Sequence, residues 1–205
     1  MYYGERFNSY THLVGAVLAL AGMVFAIVWA GMAGDPWKIV GVSIYGFTLF
    51  ALYTISTLYH ALRGRAKAVL QRLDHCAIYL LIAGSYTPFT LVTLRGAWGW
   101  SLFGVNWGLA VLGIVQELWI GRRTRALSLL IYVLMGWLIL LAMGPLVAAL
   151  APAGLGWLAA GGAFYTVGIV FFVLDERIRH GHGIWHLFVL AGSICQYISI
   201  VGYVH

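Results

Sequence analysis

Two histidines four residues apart open the last apolar stretch of the chain, in the segment His182-Gly183-Ile184-Trp185-His186. Residues at this spacing lie one turn apart on the same face of a helix. Two imidazoles so placed can bind one metal ion. Two other interpretations remain open, with His182 as an interfacial residue and His186 as a hydrogen-bonded residue of helix packing. A metal site therefore requires further ligands elsewhere in the chain.

Another apolar stretch supplies a third imidazole. It ends in the segment Ser56-Thr57-Leu58-Tyr59-His60, which places Ser56 and His60 on one helix face. Three imidazoles and a water molecule are the ligands of a catalytic zinc site, and neutral imidazoles suit zinc better than calcium or magnesium. The pattern predicts a zinc ion bound by His60, His182 and His186.

Two polar residues near these histidines are candidates for catalysis. Asp74 is a carboxylate just inside the next apolar stretch, where it needs a partner. A carboxylate that is not a direct ligand can hold or deprotonate a water molecule, which is the role predicted for Asp74. Ser56 lies one turn deeper than His60 and could hydrogen-bond that water or a substrate oxygen. Alternatively, its hydroxyl bonds the carbonyl four residues earlier, as is common in membrane helices.

Three other ionisable residues are expected around the site rather than in it. His12 has the same predicted depth and could support a ligand from behind. Glu117 is expected to pair with an arginine of the loop that follows it. Asp175 is expected at the membrane interface among Arg177 and Arg179.

The elements that position these residues are seven apolar stretches. Of the 205 residues, 62% are hydrophobic and only 9% are charged, whereas a soluble domain carries about 25% charged residues. The composition therefore predicts an all-α integral membrane protein. Each stretch is long enough to cross a hydrocarbon core of about 30 Å. Residues 1–205 are predicted to form a single seven-helix domain, with helices at 10–32, 38–62, 71–94, 98–119, 126–149, 155–174 and 182–204.

The basic residues predict the orientation of the bundle. Ten of the twelve lie on one side: Arg6, Arg63, Arg65, Lys67, Arg72, Arg122, Arg123, Arg125, Arg177 and Arg179. Because cytoplasmic loops collect Lys and Arg, the N-terminus is predicted to be cytoplasmic and the C-terminus outside. The net charge of +6 therefore reflects topology rather than nucleic acid binding. This orientation places the candidate histidines and Asp74 at the cytoplasmic ends of three helices.

Five segments of the sequence resemble the hemolysin III proteins of bacteria, within the progestin and adipoQ receptor superfamily. They are residues 5–12 (ERFNSYTH), 56–60 (STLYH), 73–79 (LDHCAIY), 83–89 (AGSYTPF) and 182–193 (HGIWHLFVLAGS). The resemblance implies a seven-helix bundle with its N-terminus inside, in agreement with the charge pattern. It also implies zinc held by His60, His182 and His186, with Asp74 reaching the zinc through water and Ser56 as the motif serine.

The resemblance implies several functions. Eukaryotic relatives are receptors with ceramide-hydrolysing activity attributed to the zinc site. Bacterial members are named for lysis of red cells and have been linked to membrane-energy homeostasis. The leading hypothesis is a zinc-dependent hydrolase of a lipid amide or ester in the bacterial inner membrane, with membrane lipids as partners and substrate. A secreted pore-forming toxin fits poorly, because the short loops and uniform hydrophobicity are typical of a resident membrane protein.

Two alternatives to hydrolysis remain. The first is a non-enzymatic sensor or regulator of membrane homeostasis, in which zinc is structural and clamps the helices. The second is an ion or proton conductor. The small number of ionisable residues at mid-membrane argues against conduction. The sequence identifies no protein partner.

Overall fold

A computed structural model describes Met1, residues 4–119 and residues 125–205, except the side chain of Arg125. Within these ranges the chain is almost entirely helical, contains no strand and includes seven helical segments long and apolar enough to cross a membrane. The predicted all-α membrane fold with seven spans is confirmed. The orientation of the termini stays a prediction, and the predicted basic loop with Arg122 and Arg123 lies outside the described residues.

The helices follow the predicted apolar stretches closely. They are α1 (Arg6–Ala33), α2 (Pro36–Ala61), α3 (Gly64–Pro88, continued by a π-helical turn at Phe89–Thr93), α4 (Ala97–Trp119), α5 (Arg125–Trp137), α6 (Met143–Ala149), α7 (Pro152–Val173) and α8 (Gly181–Tyr203). The fifth span consists of α5, a 3₁₀ turn at Leu138–Ala142 and α6. The helices α1 and α3 begin several residues earlier than predicted, because their polar first turns continue the helix beyond the apolar residues that mark a span.

Two prolines shape the ends and breaks of these helices. Asp35 caps α2 by accepting a hydrogen bond from the Trp37 backbone N–H at 2.9 Å, and Pro36 occupies the first helical position. Inside the fifth span, Pro145 has no N–H and its ring crowds the carbonyl of Leu141. The turn that contains Leu141 is accordingly 3₁₀ rather than α-helical.

The helices that carry the candidate ligands form the interior of the bundle. Of the 18 most apolar consecutive residues, 50% are buried in α2, 67% in the third span and 44% in α8, compared with 17% in the fifth and sixth spans. Helices α1, α2 and α3 pack in sequence order, and α8 packs against α1, α2 and α7. The last helix therefore packs beside the first two helices, as a site built from α2, α3 and α8 requires.

Hydrogen bonds in the core fix the register between α2 and α8. The Tyr53 hydroxyl donates to Ser193 Oγ at 2.8 Å, and the Tyr45 hydroxyl donates to the Ser193 carbonyl oxygen at 3.3 Å. Tyr53 precedes His60 by seven residues, and Ser193 follows His186 by seven. At a rise of about 1.5 Å per residue, both histidines therefore lie about 10 Å along their helices from this hydrogen bond, at the same end of the bundle.

Candidate metal centre

Three imidazoles meet at the end of the bundle where α2 stops and α8 begins. One ring nitrogen from each of His60, His182 and His186 lies within 4.8 Å of the other two. His60 and His186 are 2% and 0% exposed, and His182 is half-buried. The Nε2 atoms of all three are buried without a hydrogen-bond partner. Buried polar atoms left unpaired are costly, and a metal ion bound between the rings would satisfy all three.

Carboxylates hold two of these rings from the opposite side. His60 Nδ1 lies 2.6 Å from Glu5 Oε2, and His182 Nδ1 lies 3.1 Å from Asp175 Oδ2. An ionised carboxylate only accepts hydrogen bonds, so each Nδ1 carries the proton and donates. In the neutral ring the lone pair is then on Nε2, which is the form that binds a metal.

The third ring is oriented by the backbone of α1. His186 Nδ1 lies 3.1 Å from the Asn8 carbonyl oxygen and 3.2 Å from Thr11 Oγ1. The Thr11 hydroxyl already donates to the carbonyl oxygens of Phe7 and Asn8, so it accepts from His186. His186 therefore has the same tautomer as the other two rings, with its Nε2 lone pair facing the cluster.

Glu5 is fixed by three neighbouring side chains. Besides the contact with His60, Lys67 Nζ donates a hydrogen bond to Glu5 Oε1 at 2.6 Å, and Asn8 Nδ2 donates one to Glu5 Oε2 at 2.9 Å. Burial by itself would raise the pKa of the Glu5 carboxyl, but the hydrogen bonds from His60, Lys67 and Asn8 outweigh burial and hold that pKa well below its ordinary range. The residue is a carboxylate at neutral pH.

Asp74 lies at the edge of the three-histidine cluster. It is buried in α3 and lines a cleft of about 520 Å³ together with His60 and His182. The side chains of His60, His75 and Ser56 lie near its carboxyl. A water molecule in the cleft could therefore contact both the carboxylate and a metal ion held by the rings.

The Ser56 hydroxyl lies beside the Asp74 carboxyl. Ser56 is 1% exposed, faces the Asp74 carboxyl and makes no hydrogen bond to the backbone. The alternative expectation, a bond to the carbonyl four residues earlier, is wrong for Ser56. The neighbouring Thr57 makes that bond instead, from its hydroxyl to the Tyr53 carbonyl oxygen at 2.7 Å.

The donor set fits a zinc ion. A tetrahedral zinc with Zn–N bonds of about 2.1 Å separates its nitrogen ligands by about 3.4 Å. The three ring nitrogens lie within 4.8 Å of one another, which is compatible with this spacing. Imidazole suits zinc, copper, iron and nickel, so the three rings could hold an ion of this group.

Two other ionisable residues are placed near the site. The ring of His12 stacks on that of His186, with centroids 3.5 Å apart and an interplanar angle of 12°, so it supports this ligand from behind. Glu117 lies 3.4 Å from His75 and accepts a hydrogen bond from Ser128. The arginines expected to pair with Glu117 include Arg122 and Arg123, which lie outside the described residues.

Sequence reasoning missed the roles of Glu5 and Asp175. Both lie outside the apolar stretches, where a carboxylate is ordinarily solvated, and Asp175 was expected among arginines. The structure places each against the Nδ1 atom of a candidate ligand. For Glu5 a signal was available, because it opens the segment 5–12 that resembles the family.

Comparisons with known proteins agree with this architecture. The family model described as "Haemolysin-III related" matches residues 2–197. The chain is 43% identical to "Hemolysin-3" of Bacillus cereus over 201 residues, which is 98% of this chain and 91% of the relative. It is 41% identical to "Hemolysin-3 homolog" of Bacillus subtilis (strain 168) over 200 residues, 97% of this chain and 93% of the relative.

A human protein is also similar. The human "Monocyte to macrophage differentiation factor" is 30% identical over 213 residues, covering 99% of this chain and 85% of that protein. The matches extend over the segments that carry all three imidazoles. Together with the seven apolar helices, they show that this chain is an integral membrane protein that belongs to the haemolysin-III-related family.

Proposed function

We propose that this chain is a zinc-dependent hydrolase that cleaves an amide or ester bond of a membrane lipid. The observation that carries the proposal is the convergence of three buried, unpartnered Nε2 atoms beside a cleft lined by Asp74. A structural zinc site is closed by four protein ligands, whereas a catalytic site leaves one position for water or substrate. Three imidazoles with a carboxylate next to them correspond to the catalytic arrangement.

The proposed reaction consumes one water molecule. A zinc ion held by His60, His182 and His186 would polarise the water and the substrate carbonyl. Asp74 accepts a proton from the water as its oxygen bonds to the carbonyl carbon. Asp74 then returns that proton to the leaving nitrogen or oxygen as the C–N or C–O bond breaks, which yields a carboxylic acid and an amine or alcohol. Ser56 donates a hydrogen bond that orients the substrate carbonyl.

The cleft supports a lipid as substrate. Its lining combines the aromatic side chains of Tyr59, Phe172 and Trp185 with carboxylates at the predicted membrane interface. Such a lining suits the junction between the polar and apolar parts of a lipid, which is where an amide or ester bond lies. The similarity to Bacillus proteins supports a bacterial inner membrane as the location.

Hydrolysis of labelled lipids by the purified protein tests this function. Protein prepared without chelator is incubated in lipid nanodiscs with labelled ceramides, other lipid amides and lipid esters. Turnover that is lost after chelation, restored by zinc and absent from His186→Ala supports the proposal. A panel on which zinc-loaded wild type releases no fatty acid refutes it.

One observation favours a second function, a non-enzymatic sensor with structural zinc. The three imidazoles come from α2 and α8, and their Nδ1 contacts include α1, so a bound ion would clamp three helices. In that case removal of zinc lowers the unfolding temperature, while no lipid in the panel is cleaved before or after removal.

A further inference from the structure

The first turn of α1 covers the metal centre although it contributes none of the three nitrogens. Glu5, directly before α1, contacts His60, and the Asn8 carbonyl contacts His186. A glycine allows this close approach, since a Cβ at Gly183 would lie 2.2 Å from Phe7 Cδ1. Helix α8 is therefore shaped to receive this turn, and two of the three candidate ligands depend on it for their Nδ1 contacts.

Glu5 connects three helices through a single carboxylate. Its Oε2 atom contacts His60 of α2 at 2.6 Å and Asn8 of α1 at 2.9 Å, and its Oε1 atom contacts Lys67 of α3 at 2.6 Å. With both oxygens engaged, the carboxylate has one orientation. The His60 ring that donates to it is consequently fixed as well.

We propose that Glu5 is a positioning residue of the metal centre, which acts on the bound ion through His60. The hydrogen bond holds the ring with its Nε2 atom toward the other two imidazoles. A negative acceptor on Nδ1 also makes Nε2 a stronger donor to a metal. This inference rests on the proposed metal site, but it does not depend on hydrolysis.

The imidazole that contacts Glu5 is buried more deeply than the imidazole that contacts Asp175. The His60 side chain is 3% exposed, so water cannot replace a lost acceptor at its Nδ1 atom. The His182 side chain is 24% exposed, so water can substitute for Asp175. Removal of the Glu5 carboxylate should therefore weaken metal binding more than removal of the Asp175 carboxylate.

Zinc affinity of the full chain, measured by competition with a chromophoric chelator, tests the proposal. Glu5→Gln keeps the side-chain shape and removes the charge, and it should weaken zinc binding about 10- to 100-fold, the usual effect of losing such a partner. Asp175→Asn should have a smaller effect. Asp35→Asn is the matched control, because it removes a carboxylate from the N-cap of α2 and should leave zinc affinity unchanged.

Helix capping does not confound this comparison. The Glu5 side chain makes no capping hydrogen bond to α1, so its substitution leaves the helix end intact. A double-mutant cycle separates action through His60 from a general structural effect. In a His60→Ala background, Glu5→Gln should cause no further loss of zinc affinity, whereas a general effect on folding would lower affinity in both backgrounds.

A second variant keeps the proposal testable if Glu5→Gln does not fold. Lys67→Met removes one of the three contacts of Glu5 and should weaken zinc binding by a smaller factor. Wild-type affinity in both Glu5→Gln and Lys67→Met, or equal losses in the presence and absence of His60, would overturn the proposal. Absence of zinc binding by wild type would instead refute the proposed metal site itself.

Discussion

Replacement of His186 by alanine should nearly abolish metal binding without unfolding the bundle. His186 is fully buried and supplies one of three converging nitrogens. Four-ligand zinc sites bind with apparent free energies of about 10–16 kcal/mol, which is roughly 2.5–4 kcal/mol per ligand. Loss of one ligand therefore corresponds to an increase of about 10²- to 10³-fold in Kd.

Zinc competition measurements on purified wild type and His186→Ala give this ratio directly. The substitution also leaves a cavity against His12, so a matched variant must create a cavity without removing a nitrogen. Val189→Ala does so, because Val189 lies on the same helix, is 8% exposed and contributes no ligand. It should lower the unfolding temperature and retain wild-type zinc affinity. Equal zinc affinity in wild type and His186→Ala would show that His186 is not a metal ligand.

Three further variants examine the surrounding residues. Asp74→Asn should abolish lipid hydrolysis and should change zinc affinity less than His186→Ala does. A loss of zinc affinity as large as that of His186→Ala would instead identify Asp74 as a direct ligand. Ser56→Ala should lower kcat about 10-fold, the effect of one lost hydrogen bond to the reacting groups, with unchanged zinc affinity; an unchanged kcat would exclude Ser56 from the reaction. Gly183→Ala should weaken zinc binding, because its Cβ would lie 2.2 Å from the Phe7 ring. Gly202→Ala on the same helix is the control: its Cβ would have no neighbouring atom within 4 Å, so this variant should bind zinc like wild type. Equal zinc affinities in the two glycine variants would contradict the role of the close approach.

The fold was predictable because hydrophobicity and charge act locally. Seven apolar stretches predict seven spans, and the structure departs from them mainly at the start of α1 and α3. Those departures have one cause. A hydropathy pattern begins at the first continuous apolar residues, whereas a helix extends through a polar first turn such as residues 6–9 of α1, where the Asn8 carbonyl contacts His186.

The grouping of the three histidines was predictable for a related reason. The spacing of His182 and His186 fixes their common face, and the span count places His60 at the same end of the bundle. Contacts between distant residues carry no such local signal. The pairing of Glu5 with His60 joins residues 55 positions apart, and the pairing of Asp175 with His182 depends on how the turn before α8 folds. Both acceptors resemble ordinary solvated carboxylates until the helices are packed.

In the proposed metal centre, three imidazoles hold one zinc ion at this end of the bundle. Metal analysis combined with zinc X-ray absorption spectroscopy on protein purified without chelator tests it most directly. Binding by His60, His182 and His186 should give one zinc per chain with three imidazole nitrogens at about 2.0–2.1 Å. A metal-free protein that takes up no zinc, or a zinc ion whose ligands remain unchanged in His60→Ala, His182→Ala and His186→Ala, would contradict it.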